Sequence, residues 1–421
     1  MKTTIMLYFC KRAVPLFLAA CFTATALLPS PLVPYALAQT IDCSIADSSI
    51  ELASKIRGLA VKKPVPCKIQ NKEEVTQYLK DTIKTKVPKK RLQSEESIYK
   101  FLGILPEDYD YESGIVKLYT SQLGGYYDAD KDYYAMAAWM PAMMQVPIAV
   151  HELIHALQDQ HFTIDKLLDN TTVTSDTLLA RSAVLEGDAT AVMIDYTLGL
   201  QGGARLENQE SVSGFLLQNI SSALLSSGTT DAPQALYAML IFPYVSGLNF
   251  VHSHLKNGGY KQVDKLYSRL PRTTEEILHP EVYLSGEKSF SEVEVSKYKK
   301  GIPGVSDEAV FTDRLGEFFI STMLSSQIGP AVAGEAARGW GGDNIALYSI
   351  NASSKDFMVW GTAWDSKSDA VEFFKAMSEA FKKRFKANPV ETAKMTSFVT
   401  KSFGSVKIML EGSEVILTMG G

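Results

Sequence analysis

The chain has 421 residues, of which 46% are hydrophobic and 21% are charged, and its formal net charge at pH 7 is −5. This composition is that of a globular protein, and the length is sufficient for about two domains. The chain has no tract of basic residues, so nothing in it indicates a nucleic-acid partner, and its acidity favours solubility.

The first 38 residues have the pattern of an export signal. They contain three basic residues and no acidic one, then a mostly apolar run over residues 13–28, and they end on Ala36-Leu37-Ala38. Small residues at this position are typical of a cleavage site. We therefore expect residues 1–38 to be removed and the protein to be secreted, periplasmic or located in the cell envelope.

Two other interpretations of this segment stay open. Leu-Ala-Ala-Cys at residues 18–21 resembles a bacterial lipobox, which would leave a lipidated Cys21 at the mature N-terminus. An uncleaved anchor is disfavoured because Pro29, Pro31 and Pro34 interrupt the segment before about 20 apolar residues accumulate. We expect no membrane span in the mature chain.

Cys43 and Cys67 are the cysteines that remain after cleavage at this site. Exported proteins meet oxidising conditions, which permit a disulfide. We predict a Cys43–Cys67 bridge, with two free thiols as the alternative.

The region that follows predicts a helical lead-in and then a β-hairpin. Residues 50–60, 72–84 and 94–101 have helical patterns and are separated by prolines. Residues 115–119 and 133–136 are rich in β-prone side chains, and the Asp-rich stretch 128–132 predicts a turn.

Two long helices are predicted next. Residues 148–160 carry apolar residues at helical spacing, and Pro147 fits the first turn of that helix because no N–H is needed there. Residues 175–198 form the second helix. Further helices are predicted over residues 211–225, 235–240, 245–255 and 262–270, with a break at Gly258-Gly259.

The C-terminal part predicts a separate α+β module over residues 301–421. We expect helices over residues 307–325 and 366–385, strands over 344–350, 357–362, 406–410 and 414–419, and a turn at the Trp-Gly-Gly-Asp sequence 340–343. The preceding unit, residues 39–300, contains the lead-in and the two long helices. The predicted fold class is therefore α+β.

The sequence HELIH at residues 151–155 is the strongest chemical motif. Residues four apart on a helix are rotated by about 400°, so His151 and His155 project from one face and can hold one metal ion. Glu152 could accept a proton from a water molecule that the metal activates. Two surface histidines on an ordinary helix are the alternative.

With this motif the chain resembles the zincin metallopeptidases. The resemblance implies a mostly helical catalytic domain, with the motif helix beneath a sheet whose edge strand pairs with an extended peptide substrate. By analogy, residues 119–136 would supply that edge. It also implies Zn²⁺ as the cofactor and a peptide or protein as the substrate.

Two residues compete for the place of third ligand. His161 lies ten residues after His151, as in metzincins, but Gln158 stands where their Gly lets the chain leave the helix. If the helix continues, His161 lies about 15 Å further along its axis than His151. Glu186, followed by Gly187, resembles the gluzincin arrangement and is our preferred ligand.

Other site residues are less well defined. Thermolysin-like gluzincins carry an acid four positions after the ligand glutamate, whereas here that position is Thr190 and the acid is Asp188. Zincins also use His or Tyr donors to stabilise the oxyanion. His279 and Tyr283 are our candidates for this catalytic role, and the alternatives are Tyr244 and His252.

Several further segments are similar to a group of poorly characterised bacterial and archaeal metallopeptidase-like proteins. They are HELIHALQDQHF, LEGDA, TEEILHPEVY, TDRLGEFF, GWGGDNIALY and VWGTAWDS, and the resemblance covers roughly residues 119–385. We predict a zinc-dependent peptidase with Glu152 as general base. The alternative is a non-catalytic envelope binding or assembly protein that retains a zincin fold.

Overall fold

The structure, a computed structural model, describes residues 42–168, 173–215, 232–286, 290–350 and 356–420. The predicted export signal, with Cys21, lies outside the described residues. Most of the predicted helix 211–225 lies outside them as well.

The N-terminal helix is tied to the first strand by a disulfide. Helix α1 (Ser44–Arg57) and strand β1 (Cys67–Gln70) are joined by the Cys43–Cys67 bridge, whose Cα atoms are 5.6 Å apart. The predicted disulfide is therefore confirmed. Gly58, at φ 79°, ends the helix in a left-handed conformation that glycine adopts without strain.

Three helices complete the lead-in: α2 (Lys72–Lys86), α3 (Lys89–Leu102) and α4 (Tyr111–Gln122). The predicted strand 115–119 is wrong, because these residues lie within α4. Asp110 caps this helix by accepting a hydrogen bond from the Ser113 N–H, and Ile115, Leu118 and Tyr119 are buried at helical spacing. The cap and the packing outweigh the β propensity of the segment.

The hairpin consists of β2 (Gly125–Asp128) and β3 (Tyr133–Ala137). These strands are antiparallel, and the Asp-rich stretch connects them as predicted. Strand β1 pairs with β3 in parallel, which gives the sheet order β1-β3-β2 and leaves β2 at an edge. The face that carries Tyr127 and Tyr134 packs against the helix with the HELIH motif.

Three long helices form the centre of the first part of the chain: α5 (Ala142–Phe162), the motif helix; α7 (Ser175–Leu200); and α8 (Gln234–Leu255). Helix α6 (Ile164–Leu167) is a short turn between α5 and α7. Pro147 lies inside α5 and not in its first turn, because the helix begins earlier than predicted. The predicted helices 235–240 and 245–255 are one continuous helix that includes Pro243.

Helix α8 is long and apolar enough to cross a membrane by length and composition. However, 61% of its apolar stretch is buried inside the fold. Its residues belong to both large hydrophobic clusters, including Tyr244 in one and Phe250 in the other. We therefore interpret α8 as a core helix.

Three short helices follow: α9 (Tyr260–Ser268), α10 (Thr274–Leu278) and α11 (Pro280–Ser285). As predicted, Gly258 and Gly259 break the chain between α8 and α9, and both have positive φ angles.

The C-terminal part contains a seven-stranded antiparallel sheet in the order β4-β5-β6-β10-β9-β8-β7. Its strands are β4 (Phe311–Asp313), β5 (Trp340–Ser349), β6 (Asp356–Trp364), β7 (Val390–Thr392), β8 (Met395–Thr400), β9 (Gly404–Glu411) and β10 (Glu414–Gly420). Its helices are α12 (Gly316–Ile328), α13 (Pro330–Ala337) and α14 (Lys367–Phe385).

Two predictions for this part are wrong. Residues 311–313 form an edge strand, so the helix predicted from residue 307 begins only at Gly316. Residues 340–343 belong to β5 and do not form a turn. A register shift at Gly341 makes a bulge there, and a Cβ atom on Gly342 would lie 2.2 Å from the Ser291 carbonyl oxygen.

The hydrophobic core connects the two predicted units. One cluster runs from the lead-in helices through Tyr244 on α8 to Trp360 and Phe373 in the C-terminal part. A second cluster surrounds the motif helix. The fold is α+β, with most helices in the first part and a sheet in the last, whereas the boundary near residue 300 stays a prediction.

Candidate metal centre

The motif helix presents its chemical side chains to the protein interior. His151 and His155 are one turn apart, and each is only 1% exposed, while Glu152 is completely buried. The uncharged residues between them pack in the surrounding core. A surface location for these histidines, the alternative left open by the sequence, is wrong.

Glu186 on α7 meets the two histidines. Its Oε2 atom lies 3.2 Å from His151 Nε2 and 3.4 Å from His155 Nε2, and the two Nε2 atoms are 3.3 Å apart. Ligand atoms about 2.0–2.1 Å from a tetrahedral zinc ion would lie roughly 3.3–3.4 Å from one another. The side chains therefore have the donor types and the spacing that a tetrahedral divalent metal requires.

His161 lies elsewhere. Gln158 continues the helix, which ends at Phe162 with Thr163 in a left-handed conformation. The Nε2 atom of His161 is 2.7 Å from the Ala60 carbonyl oxygen, in the loop that follows α1. Of the two candidates for third ligand, the structure brings only Glu186 to the histidines.

A close helix crossing determines how α7 and α8 pack beside the site. A Cβ atom on Gly187 would lie 2.3 Å from the Gly247 carbonyl oxygen, and one on Gly247 would lie 2.1 Å from that of Ala183. Only glycines allow the backbones to approach this closely. Tyr244, one turn before Gly247, stacks on His151 with ring centroids 6.0 Å apart.

Glu152 points towards the edge strand of the small sheet. Its Oε2 atom accepts a hydrogen bond of 2.8 Å from the Tyr127 N–H of β2, and its buried Oε1 atom has no hydrogen-bond partner among the described residues. Burial raises the pKa of Glu152 well above its usual range, and the Glu186 carboxylate raises it further. Tyr134, another buried group without a partner in the described chain, is electrostatically coupled to Glu152.

Burial and neighbouring groups shift the pKa values of two of the metal-ligand candidates. Burial lowers the pKa of His151, which favours the neutral ring that can bind a metal. Burial alone would raise the pKa of Glu186, but the two histidines outweigh it and lower the pKa. The lowered pKa of Glu186 favours an ionised carboxylate beside the two histidines.

A hydrogen-bonded chain extends from His155 away from the metal ligands. Its Nδ1 atom lies 2.8 Å from Gln158 Oε1, and Gln158 Nε2 donates to Asp188 Oδ2 at 3.1 Å. Asp188 also accepts from Arg57 Nε at 2.7 Å and from the Tyr267 hydroxyl at 2.7 Å. Gln158 and Arg57 were not predicted to support the site; the position of Gln158 three residues after His155 on the same helix is the one indication of its role that the sequence contains.

The predicted oxyanion donors lie in other environments. His279 Nε2 is 2.9 Å from Glu317 Oε1, and the Tyr283 hydroxyl donates to the Arg269 carbonyl oxygen at 2.6 Å. Neither contacts a metal-ligand candidate in the described part of the chain. His252 Nε2 is 3.1 Å from two backbone carbonyl oxygens. Of the four candidates, only Tyr244 contacts the metal-ligand cluster.

Comparison with known families gives one result, for the C-terminal part. Residues 305–420 match a family model described as a domain of unknown function (DUF8575). The match covers α12–α14 and the seven strands of the larger sheet, and it does not include the candidate metal ligands. No curated protein and no solved structure matches the chain.

Proposed function

We propose that this chain is an exported zinc-dependent peptidase in which His151, His155 and Glu186 hold the metal and Glu152 is the general base. The observation that carries the proposal is the triangle of ligand atoms, whose sides of 3.2, 3.3 and 3.4 Å match a tetrahedral site. The Cys43–Cys67 disulfide supports export, because such bridges persist in oxidising compartments.

The proposed chemistry uses the two oxygens of Glu152 differently. Zinc would supply a Lewis acid that polarises a peptide carbonyl and lowers the pKa of a bound water to about 7. The Tyr127 N–H holds Oε2, which leaves Oε1 to accept a proton from the water and pass it to the leaving amine.

The position of β2 supports a peptide as the substrate. This strand forms an edge of the small sheet and lies directly beside Glu152 through the Tyr127 contact. An edge strand can pair with an extended peptide through backbone hydrogen bonds. All four residues of β2 are buried and the Tyr127 N–H is bound by Glu152, so pairing requires this edge to be uncovered. The hydroxyl of Tyr134, on the neighbouring strand, has no hydrogen-bond partner in the described part of the chain and is a candidate donor to the oxyanion.

The burial of the site supports a second candidate function. His151, Glu152, His155 and Glu186 are each at most 1% exposed, which is typical of a structural metal centre. In this case the chain would be a non-catalytic envelope binding or assembly protein that retains a zincin-like fold.

Metal content and cleavage together test the proposal. The purified mature protein should contain about one zinc by elemental analysis, lost in Glu186→Ala and retained in His161→Ala. Glu152→Gln should retain zinc and abolish cleavage of a fluorogenic peptide library. Absence of zinc from the folded wild type would refute the metal site. Bound zinc without cleavage by the wild type would favour the non-catalytic candidate.

A further inference from the structure

We propose that Gln158 is a positioning residue that fixes the ring of His155 for metal binding, and that Arg57 holds Gln158 in place through Asp188. This inference rests on the metal site of the proposed function. It assigns the N-terminal helix α1 a part in that site, although α1 lies almost 100 residues before the motif, at Ser44–Arg57.

The orientation of the Gln158 amide follows from its partners. Its nitrogen faces the Leu185 carbonyl oxygen at 3.1 Å and Asp188 Oδ2 at 3.1 Å, and both of these atoms can only accept hydrogen bonds. Reversing the amide would bring its oxygen against two acceptors. The oxygen of Gln158 must therefore be the atom that faces His155.

This orientation determines the tautomer of His155. Since Gln158 Oε1 can only accept, His155 Nδ1 must carry the proton in the 2.8 Å hydrogen bond between them. The lone pair of the neutral ring is then on Nε2, the atom that faces His151 and Glu186. Partners of this kind fix ring orientation and increase the basicity of a metal-binding histidine.

Asp188 holds the Gln158 side chain in place by accepting a hydrogen bond from its amide nitrogen. It is completely buried, and its two oxygens accept from Gln158, the Tyr267 hydroxyl and Arg57 Nε. The Arg57 side chain is also fully buried, and it forms a second ion pair with Asp264 at 2.7 Å. These three donors restrict the position of the Asp188 carboxylate, because moving it would break hydrogen bonds to a fully buried charge.

Arg57 connects this network to the disulfide-bonded N-terminus. It is the last residue of α1, and the helix begins one residue after Cys43 of the bridge. The lead-in is therefore part of the support of the metal site.

His151 lacks such support within the described residues. Its Nδ1 atom is buried and has no hydrogen-bond partner there. The positioning effect should therefore act mainly through His155.

The test compares two Gln→Met substitutions on the same helix. Gln158→Met removes the hydrogen bond to His155, while Asp188 keeps Arg57 and Tyr267 as partners. Gln145→Met is the matched control, because Gln145 is a buried residue of α5 that donates to the Met140 carbonyl oxygen. Arg57→Met tests the contribution of the N-terminal helix.

Zinc affinity is measured by competition with a chromogenic chelator, and the visible absorption of the Co²⁺-loaded proteins reports ligand geometry. Gln158→Met should bind zinc roughly 10- to 100-fold more weakly and change the Co²⁺ spectrum, while Gln145→Met matches the wild type. Arg57→Met should weaken zinc binding in the same direction. If Arg57→Met does not fold, Gln158→Met still tests the positioning role of Gln158.

Wild-type zinc affinity in a folded Gln158→Met variant would overturn the positioning role and leave the metal site intact. An equal loss in Gln145→Met would also overturn it, because the effect would then be a general one on the helix. A folded wild type that binds no zinc would overturn both proposals.

Discussion

Replacing Gly187 by Ala tests the helix crossing that brings α8 against the metal ligands. The added Cβ atom would lie 2.3, 2.4 and 3.0 Å from the carbonyl oxygen, carbonyl carbon and Cα atom of Gly247. These are backbone atoms of another helix, so a side-chain rotation cannot relieve the contact. The helices must separate by roughly 1 Å, and overpacking of this kind costs about 1–3 kcal/mol.

Separation of the helices should also change the metal site. Glu186 directly precedes Gly187, and Tyr244 on α8 stacks on His151. We therefore expect Gly187→Ala to lower both the free energy of unfolding, measured by chemical denaturation, and the zinc affinity.

Gly199→Ala is the matched control on the same helix, because its Cβ atom would meet nothing within 4 Å. Since alanine favours helices, this variant should be unchanged or more stable by up to about 1 kcal/mol, with wild-type zinc affinity. If Gly187→Ala is as stable as Gly199→Ala and binds zinc equally well, the close crossing does not exist in solution.

Three further predictions concern groups away from the metal ligands. Replacing Cys43 and Cys67 by Ser should lower the free energy of unfolding by roughly 3 kcal/mol, since the bridge closes a loop with a sequence separation of 24. Asp343→Asn should lower the free energy of unfolding by roughly 2–6 kcal/mol, because each carboxylate oxygen accepts two N–H groups and an amide nitrogen accepts none. A variant as stable as the wild type in chemical denaturation would refute this prediction. The hydrogen bond with Glu317 raises the pKa of His279 above 6.5. The free energy of unfolding of the wild type should therefore fall as the pH rises from 6.5 through the raised pKa. His279→Gln should show a smaller fall over the same pH range.

Local patterns were sufficient for the parts of the site that lie on one helix. The spacing of His151 and His155 with the apolar residues around them predicts the motif helix and its buried face. Gln158 stands at the metzincin glycine position, which correctly disfavoured His161 as the third ligand. Because the helix continues through Gln158, His161 lies too far along its axis to reach the other two histidines. Glu186 could be selected only through a resemblance, since its approach to the histidines depends on how α7 packs.

Interactions between distant segments could not be derived from the sequence. Residues 115–119 have β-prone side chains, and their helical state depends on the Asp110 cap and on burial of one helical face. The strand at residues 311–313 forms because β5 offers it a partner, and that pairing is not local. Arg57 reaches Asp188 across 131 positions, so no local pattern indicates its role.

Glu152 distinguishes a catalytic metal centre from a structural one, because a structural centre does not need a general base. Structural zinc sites are usually completed by four protein ligands, whereas the described cluster has three and therefore leaves a coordination position open. Glu152 lies beside that cluster, and its buried Oε1 atom has no hydrogen-bond partner among the described residues, which costs about 1–3 kcal/mol. An apolar residue on the same helix turn would remove this cost without losing a metal ligand. Under the proposed function, a carboxylate of this cost next to an open coordination position supports a catalytic role over a purely structural one.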